Sequence, residues 1–107
     1  NNDFRRIYAR GKSYVSPLVV VYALKNRTKN VRVGITTSKK VGNAVVRNRT
    51  KRRLRECFRP YLGDVKNGLY VFVARPSAAE ATFQSLEKSM RYLIRKQGVL
   101  KEGNRAQ

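Results

Sequence analysis

The sequence predicts an α+β fold, in which one small domain of 107 residues packs helices on a sheet. Runs of β-branched residues, which are typical of strands, alternate along the chain with segments whose apolar residues recur at helical spacing. The resulting order of helix, strands, helix, strand and helix is that of a sheet layer covered by helices. A chain of this length most simply forms one domain, which we predict over residues 1–98, followed by a polar, mobile tail at residues 99–107.

The first half of the chain is predicted to contain one helix and two strands. The helix covers Asn2–Arg10 and stops at Gly11, where a C-terminal glycine belongs. The strands are Leu18–Leu24 and Val31–Ser38, joined by a short basic turn. Two strands separated by a few polar residues most simply form an antiparallel pair.

The second half is predicted to contain helix, strand and helix. Gly42 and Asn43 introduce a strongly basic helix that Pro60 closes, and Leu69–Ala74 forms a third strand. A last helix with an apolar stripe stops at Gly98. If the second and third strands are parallel neighbours, the basic helix is a crossover, for which right-handed is the usual hand.

The charge of the chain predicts a polyanionic partner. There are 25 Lys and Arg against 6 Asp and Glu, a formal charge of +19. Self-repulsion on this scale opposes a compact state, so a strong counter-charge is expected nearby, with nucleic acid favoured over an anionic membrane surface. No apolar run is long enough to cross a membrane and the first residues do not resemble a signal peptide, so we expect a cytoplasmic protein.

The basic helix is predicted to have one buried and one exposed face. Lys39 to Arg59 contains nine basic residues and one acid, Glu56. At about 100° per residue one arc is mostly apolar and the opposite arc polar. The first arc holds Val46, Thr50, Leu54, Cys57 and Phe58, and the second holds Asn48, Lys51, Arg52, Arg55 and Arg59. Several cations on one exposed arc can contact successive phosphates, although a merely solvated basic helix stays an alternative.

The composition disfavours a self-sufficient nuclease. The chain has no histidine to act as acid or base, and its six acids are scattered one to an element without the spacing of a metal site. Cys57, the single cysteine, is expected to be a buried structural thiol. Lys39 and Lys40 precede a helix N-terminus whose free amides favour negative charge, so a phosphate or a hydrated cation near Asn48 is a candidate ligand.

Three aromatic residues are candidates for stacking on the bases of single-stranded RNA. Phe4 and Tyr8 share one face of the first helix, and Tyr22 lies in the first strand. Aromatic side chains beside a basic track hold single strands by stacking. Packing in the core is the alternative for each of them.

The segment VGNAVVRNRTKRRLRE resembles the RNR motif of the bacterial ribonuclease P protein subunits. The similarity extends to NDFRRIYARGKS, VVYAL, VGITTSKK and YVFVARP, and so to nearly the whole chain, although Thr-Thr-Ser after Ile35 is a mild variant of the family pattern. The motif positions are met by Lys39, Lys40, Gly42, Asn43, Val45, Val46, Arg47, Asn48, Arg49, Lys51, Arg52 and Arg55.

The resemblance implies an α/β sandwich with a mixed sheet of about four strands and three helices. It further implies a left-handed crossover through the basic helix, against the usual hand, as in the second domain of ribosomal protein S5. In the family the RNA subunit is the catalyst and uses bound Mg²⁺ to release the 5′ leader of precursor tRNA. The protein assists, and is not expected to be catalytic alone or to bind a small-molecule substrate.

Site residues follow from the resemblance position by position. Contact with the RNA subunit is implied for Lys39, Lys40, Asn43, Arg47, Asn48, Arg49, Lys51, Arg52 and Arg55. A leader-binding cleft is implied for Phe4, Tyr8 and Tyr22, and Asn48 is the one candidate metal ligand. The alternative is a ribosomal or chaperone-like RNA-binding protein with no enzyme partner.

Overall fold

The computed structural model describes residues 7–25 and 30–98, and four strands of this part form one mixed sheet. The strands are β1 (Lys12–Val15), β2 (Val19–Lys25), β3 (Val31–Thr37) and β4 (Gly68–Ala74). Their order across the sheet is β1-β2-β4-β3. Strand β2 is antiparallel to both β1 and β4, whereas β3 runs parallel to β4. The predicted fold class, a mixed sheet with helices in a single domain, is therefore confirmed.

In the described part of the chain three helices accompany the sheet, as predicted. Residues 7–10 form the described part of α1, α2 is Ala44–Phe58 and α3 is Phe83–Gln97. Short 3₁₀ turns at Lys39–Val41, Arg59–Tyr61 and Pro76–Ala79 lead into or out of α2 and into α3. The first residues of the predicted first helix, the middle of the basic turn after β2 and the tail at residues 99–107 lie outside the described residues.

Strand β1 is an element that the pattern of the sequence did not predict. It pairs with β2 in a hairpin whose turn is fastened by Ser16, a buried residue. The Ser16 hydroxyl donates to the Val19 carbonyl over 2.7 Å and accepts from the Val19 amide over 3.1 Å. The strand has only four residues, all at least partly accessible, so it lacks the apolar run that identifies a strand in a sequence.

The predicted antiparallel pairing of β2 with β3 is wrong, because β4 lies between them. Strand β4 is buried along almost its whole length, which suits the centre of a sheet, whereas β3 exposes Arg32 and Val33 as an edge strand. Tyr22 of β2 and Gly34 of β3 both pair with Val71 of β4. The parallel β3–β4 pair confirms that α2 is a crossover connection, whose hand stays a prediction.

The two faces of the sheet are covered unequally. Helices α2 and α3 pack on one face over the main core, where the ring of Phe58 lies 5.1 Å from that of Phe72. On the other face Ile7 of α1 packs on Leu69 and Val71 in a smaller cluster. Among residues 7–25 and 30–98, no helix has the length and apolar character needed to cross a membrane.

Candidate nucleic-acid interface

The start of α2 is fixed by local geometry at Gly42 and Asn43. Gly42 has φ of +151°, and a Cβ added there would come within 2.8 Å of Cγ1 of Val46, so only glycine fits without strain. The Asn43 side chain accepts a hydrogen bond from the Val46 amide over 2.9 Å and is the N-cap of the helix. Asn43, predicted to contact RNA, therefore also has a structural role.

The predicted register of α2 is confirmed. Thr50, Leu54, Cys57 and Phe58 are buried in the main core, and Val46 is packed against it. The Thr50 hydroxyl, placed in this apolar layer, donates to the Val46 carbonyl over 2.8 Å. Because these residues hold the helix on the sheet, the opposite arc is turned to solvent.

The basic residues of α2 divide into those held by the protein and those left on its surface. The Arg53 guanidinium donates to the Ala81 carbonyl over 2.8 Å, and that of Arg49 reaches the Ala79 carbonyl at 3.4 Å. Arg47 is half-buried, and its Nε has no hydrogen-bond partner in the described part of the chain. Arg52 and Arg55 are exposed and extend the surface that begins at Asn48.

The two lysines before α2 and the end of the helix complete this surface. Lys39 and Lys40 are exposed in the 3₁₀ turn that precedes the helix, and Lys51 is half-buried. Glu56, the one acid of α2, forms an exposed ion pair with Arg59 over 2.9 Å. We define the outer arc of α2 as the exposed predicted residues that the fold brings to one side of the helix, Asn48, Arg52 and Arg55.

Arg53 was not among the residues predicted to bind RNA, and the structure gives it a different role. Its guanidinium joins the third turn of α2 to the segment before α3, which has its own buried residue, Ala78. The helical spacing places Arg53 on the flank between the buried and exposed arcs, and this position is the only signal that the sequence offered. Charge alone does not distinguish it from Arg52.

Cys57 lies on the buried arc of α2 as a free thiol, as predicted. Burial, followed by the nearby charge of Glu87, raises the pKa of the Cys57 thiol to about 11. The thiol is therefore protonated at neutral pH and is a poor nucleophile. Its role in α2 is to fill the core.

Two of the three predicted aromatic residues meet on the other face of the sheet. The rings of Tyr8 and Tyr22 are 4.7 Å apart between centroids and 85° apart in plane, an edge-to-face contact. Tyr8 is 46% exposed, and Tyr22 packs on the cluster that contains Val71. Phe4, the third aromatic candidate, lies outside the described residues.

Gly11 sets the close approach of α1 to the sheet. A Cβ at this position would lie 2.6 Å from the Ile7 carbonyl oxygen and 3.0 Å from that of Ala23 in β2. The Gly11 amide also donates to the Ile7 carbonyl over 2.8 Å and ends the helix. This packing fixes Tyr8 above the sheet, away from α2, so the predicted leader-binding and RNA-binding residues form two separate surfaces.

The described residues do not form a protein-only site for Mg²⁺. Within residues 7–25 and 30–98, no three His, Cys, Asp or Glu side chains gather closely enough to hold a metal ion. Asn48 offers a single amide oxygen on an exposed arc that is otherwise cationic. Since Mg²⁺ prefers several oxygen ligands and usually carboxylates or phosphates, the role of Asn48 as a metal ligand stays a prediction that needs a phosphate partner.

Comparison with known proteins gives one family. A family model described as Ribonuclease P matches residues 1–98. The ribonuclease P protein component of Clostridium novyi is 45% identical over 103 residues, covering 92% of this chain and 90% of that protein. The protein of the same name from Alkaliphilus metalliredigens is 42% identical over 97 residues, covering 90% and 87%.

Solved structures agree in fold. The RNase P protein of Staphylococcus aureus superposes with a TM-score of 0.86 at 34% identity and covers 94% of both chains. That of Thermotoga maritima gives 0.76 at 33% identity, covering 87% of this chain and 90% of the other. On its sequence and its fold, the chain belongs to the ribonuclease P protein component family.

Proposed function

We propose that this chain is the protein subunit of ribonuclease P. It binds the catalytic RNA subunit and the 5′ leader of precursor tRNA, and so assists the Mg²⁺-dependent removal of the leader in the cytoplasm. The observation that carries the proposal is the outer arc of α2, where Arg52 and Arg55 stand exposed on a helix that the core holds in place. Membership of the family supports the identity of the partner.

The protein acts in this proposal by electrostatics and positioning. Two RNAs that meet repel each other through their phosphates, and a protein of charge +19 between them lowers that repulsion. Contacts from a rigid helix also fix the orientation of the substrate, which lowers the entropic part of the barrier. Because the chain has no histidine and its carboxylates are dispersed along the sequence, the proposal assigns it no proton-transfer step.

The leader is proposed to bind at the aromatic pair. The Tyr8 side chain is 46% exposed above the sheet and is held by its contact with Tyr22 and by the packing of Ile7 in the same helix. An unpaired base can stack on the Tyr8 ring, whereas a base in a duplex must first unpair and unstack from its neighbours, which costs free energy. Mg²⁺ would supply charge neutralisation and an activated water to phosphodiester hydrolysis. Its ligands in this proposal are chiefly RNA phosphates, and Asn48 is the one candidate ligand from this chain.

Reconstitution tests the proposal. Purified chain is mixed with a transcribed ribonuclease P RNA at about 2 mM Mg²⁺, and leader release from end-labelled precursor tRNA is followed. At this low ionic strength the repulsion between RNA phosphates is only weakly screened, so a contribution from the protein is easiest to detect. We expect faster release with the chain than with the RNA alone and no release by the chain alone. Binding of RNA without any stimulation would instead favour a ribosomal or chaperone-like RNA-binding protein. Cleavage by the chain alone would contradict the assigned role.

A further inference from the structure

Helix α3 presents a second basic surface that the proposed function does not use. The buried residues of α3 hold the helix on the sheet. Five other residues recur on its outer side at helical spacings of three and four. They are Lys88, Arg91, Tyr92, Arg95 and Lys96, and together they line an open groove of about 440 Å³. We call these five residues the α3 stripe. It contains four cations and no acid.

Among residues 7–25 and 30–98, the buried core does not include Tyr92, which lies at the centre of the α3 stripe. It is 51% exposed, whereas the residues that hold α3 on the sheet, among them Met90 and Leu93, are fully buried. An exposed tyrosine alone is ordinary, and the informative feature here is its position among four cations along two grooves. Tyrosine between lysines and arginines is, however, the composition of surfaces that stack bases and hold phosphates.

An apolar notch adjoins the α3 stripe. A second groove, of about 410 Å³, lies between α3 and the β1–β2 turn and shares Lys88 and Tyr92 with the first. Its walls include Val15, which is 57% exposed, and Pro17 of the turn, and the hydroxyl-bearing Ser89 lies along the helix side. Tyr92 therefore stands where a cationic groove meets an apolar one.

We propose that the α3 stripe and this notch form a binding site for single-stranded RNA. One base stacks on the ring of Tyr92 and enters the notch beside Val15 and Pro17, while the flanking phosphates lie against Lys88 and Arg91. Charge selects the occupant, because a second copy of a chain of charge +19 would be repelled from a cationic face. The site is separate from the Tyr8–Tyr22 pair, since α3 packs on the opposite face of the sheet.

The sequence provides a direct reporter for this site, because the chain contains no tryptophan. The variant Tyr92→Trp places one indole in the α3 stripe, and stacking of a base on it quenches its emission. Titration with an eight-nucleotide uridine RNA is expected to give saturable quenching. The same RNA annealed to its complement is expected to quench at least about tenfold more weakly, since paired bases are not available to stack.

Charge variants in the Tyr92→Trp background test the phosphate contacts. Lys88→Ala is expected to raise the dissociation constant about fivefold and to lower the slope of log affinity against log salt by about one. Lys66→Ala is the matched control, because it removes the same charge from another exposed position, away from α3, and is expected to leave the quenching curve unchanged. Both lysines are exposed, so neither change is expected to affect folding.

The variant Tyr8→Ala in the same background separates the two sites. Quenching at position 92 is expected to persist unchanged if the α3 stripe binds RNA by itself. Loss of the quenching with Tyr8→Ala, or equal quenching by single-stranded and duplex RNA, would overturn the proposal. So would quenching by an acidic peptide such as polyglutamate together with none by RNA, which would identify a protein partner instead. Failure of leader release in reconstitution would not bear on this site.

Discussion

At the scale of single residues, arginines of the same helix have different environments and therefore different roles. The guanidinium of Arg53 is held by the carbonyl of Ala81, while that of its neighbour Arg52 is exposed. A held guanidinium contributes to stability through a charge-assisted hydrogen bond, and an exposed one contributes mainly to the field around the protein. The outer arc of α2 is consequently narrower than the count of basic residues in the sequence indicates.

The buried thiol of Cys57 gives a prediction for stability against pH. Its pKa is raised from 9 in the unfolded chain to about 11 in the folded protein, so the folded state keeps its proton longer. This contribution to stability is fully present below pH 9 and is lost as the pH rises from 9 towards 11. We expect wild type to be more stable than Cys57→Ala at pH 7 and the difference to shrink over that range, measured by urea unfolding.

The comparison with Cys57→Ala is needed because other groups titrate in the same range. Burial also raises the pKa of Tyr70, to about 12. The effect of Tyr70 is common to both proteins and cancels in the difference between their free energies of unfolding. A difference that stays constant up to pH 11 would contradict the buried, protonated thiol.

At the scale of elements, the beginning of α2 determines how its cations are presented. The N-cap hydrogen bond from the Val46 amide to Asn43 fixes the first turn of the helix that carries the outer arc. We expect Asn43→Ala to lower the free energy of unfolding by about 1 kcal/mol, because an N-cap acceptor is lost. Asn43→Asp keeps an acceptor oxygen and is expected to be at least as stable as wild type.

The same two variants separate capping from RNA contact at Asn43. Aspartate retains the cap but adds a negative charge at an exposed position, so a direct RNA contact predicts weaker RNA binding by Asn43→Asp with unchanged stability. If Asn43→Ala unfolds at the same urea concentration as Asn43→Asp, the capping role is refuted. Circular dichroism during urea titration and filter binding of the RNA provide the two readouts.

Element types were largely predictable from the sequence, but strand pairing was not. The long apolar runs and the helical stripes identified β2, β3, β4, α2 and α3, because burial leaves a periodic pattern in the sequence. Strand β1 leaves no such pattern, since it is a short edge strand held by Ser16. Pairing depends on which strand is buried on both faces, and the insertion of β4 between β2 and β3 is a property of the whole sheet.

At the scale of the whole molecule, the sheet separates two surfaces with different chemistry. Cations of α2 lie on the side of the main core, and the Tyr8–Tyr22 pair lies on the other side, over the smaller cluster. In the proposed function, this separation lets the protein contact the RNA subunit and a single-stranded leader at the same time. Both sets of residues were predicted from the sequence, but only the folded structure shows that they lie on opposite faces of the sheet.

This separation predicts a substrate-dependent effect at Tyr8. We expect Tyr8→Ala to weaken binding of leader-bearing precursor tRNA to the reconstituted holoenzyme by about 1 kcal/mol or more, because one stacked base is lost. Binding of tRNA without a leader should change little. Tyr8→Phe keeps the ring and serves as the control. Equal losses with both substrates, measured by affinity titration, would refute the stacking role.

Part of the site was beyond sequence reasoning for physical reasons. Charge and helical spacing correctly oriented α2, but they could not show that Arg53 is held by a backbone carbonyl 28 positions away along the chain. Nor could they show that Asn43, predicted for RNA, is occupied as an N-cap. Such roles depend on tertiary contacts that a local pattern does not encode.

The central claim is that the orientation of α2, and not its total charge, decides how the protein binds RNA. The most direct test is the salt dependence of binding to ribonuclease P RNA for Arg52→Ala/Arg55→Ala and for Arg53→Ala. We expect the double variant to lower the slope of log affinity against log salt by about two. Arg53→Ala should leave the slope unchanged and lower the free energy of unfolding by about 1 kcal/mol. A slope reduced by about one in Arg53→Ala, or unchanged in the double variant, would contradict the claim.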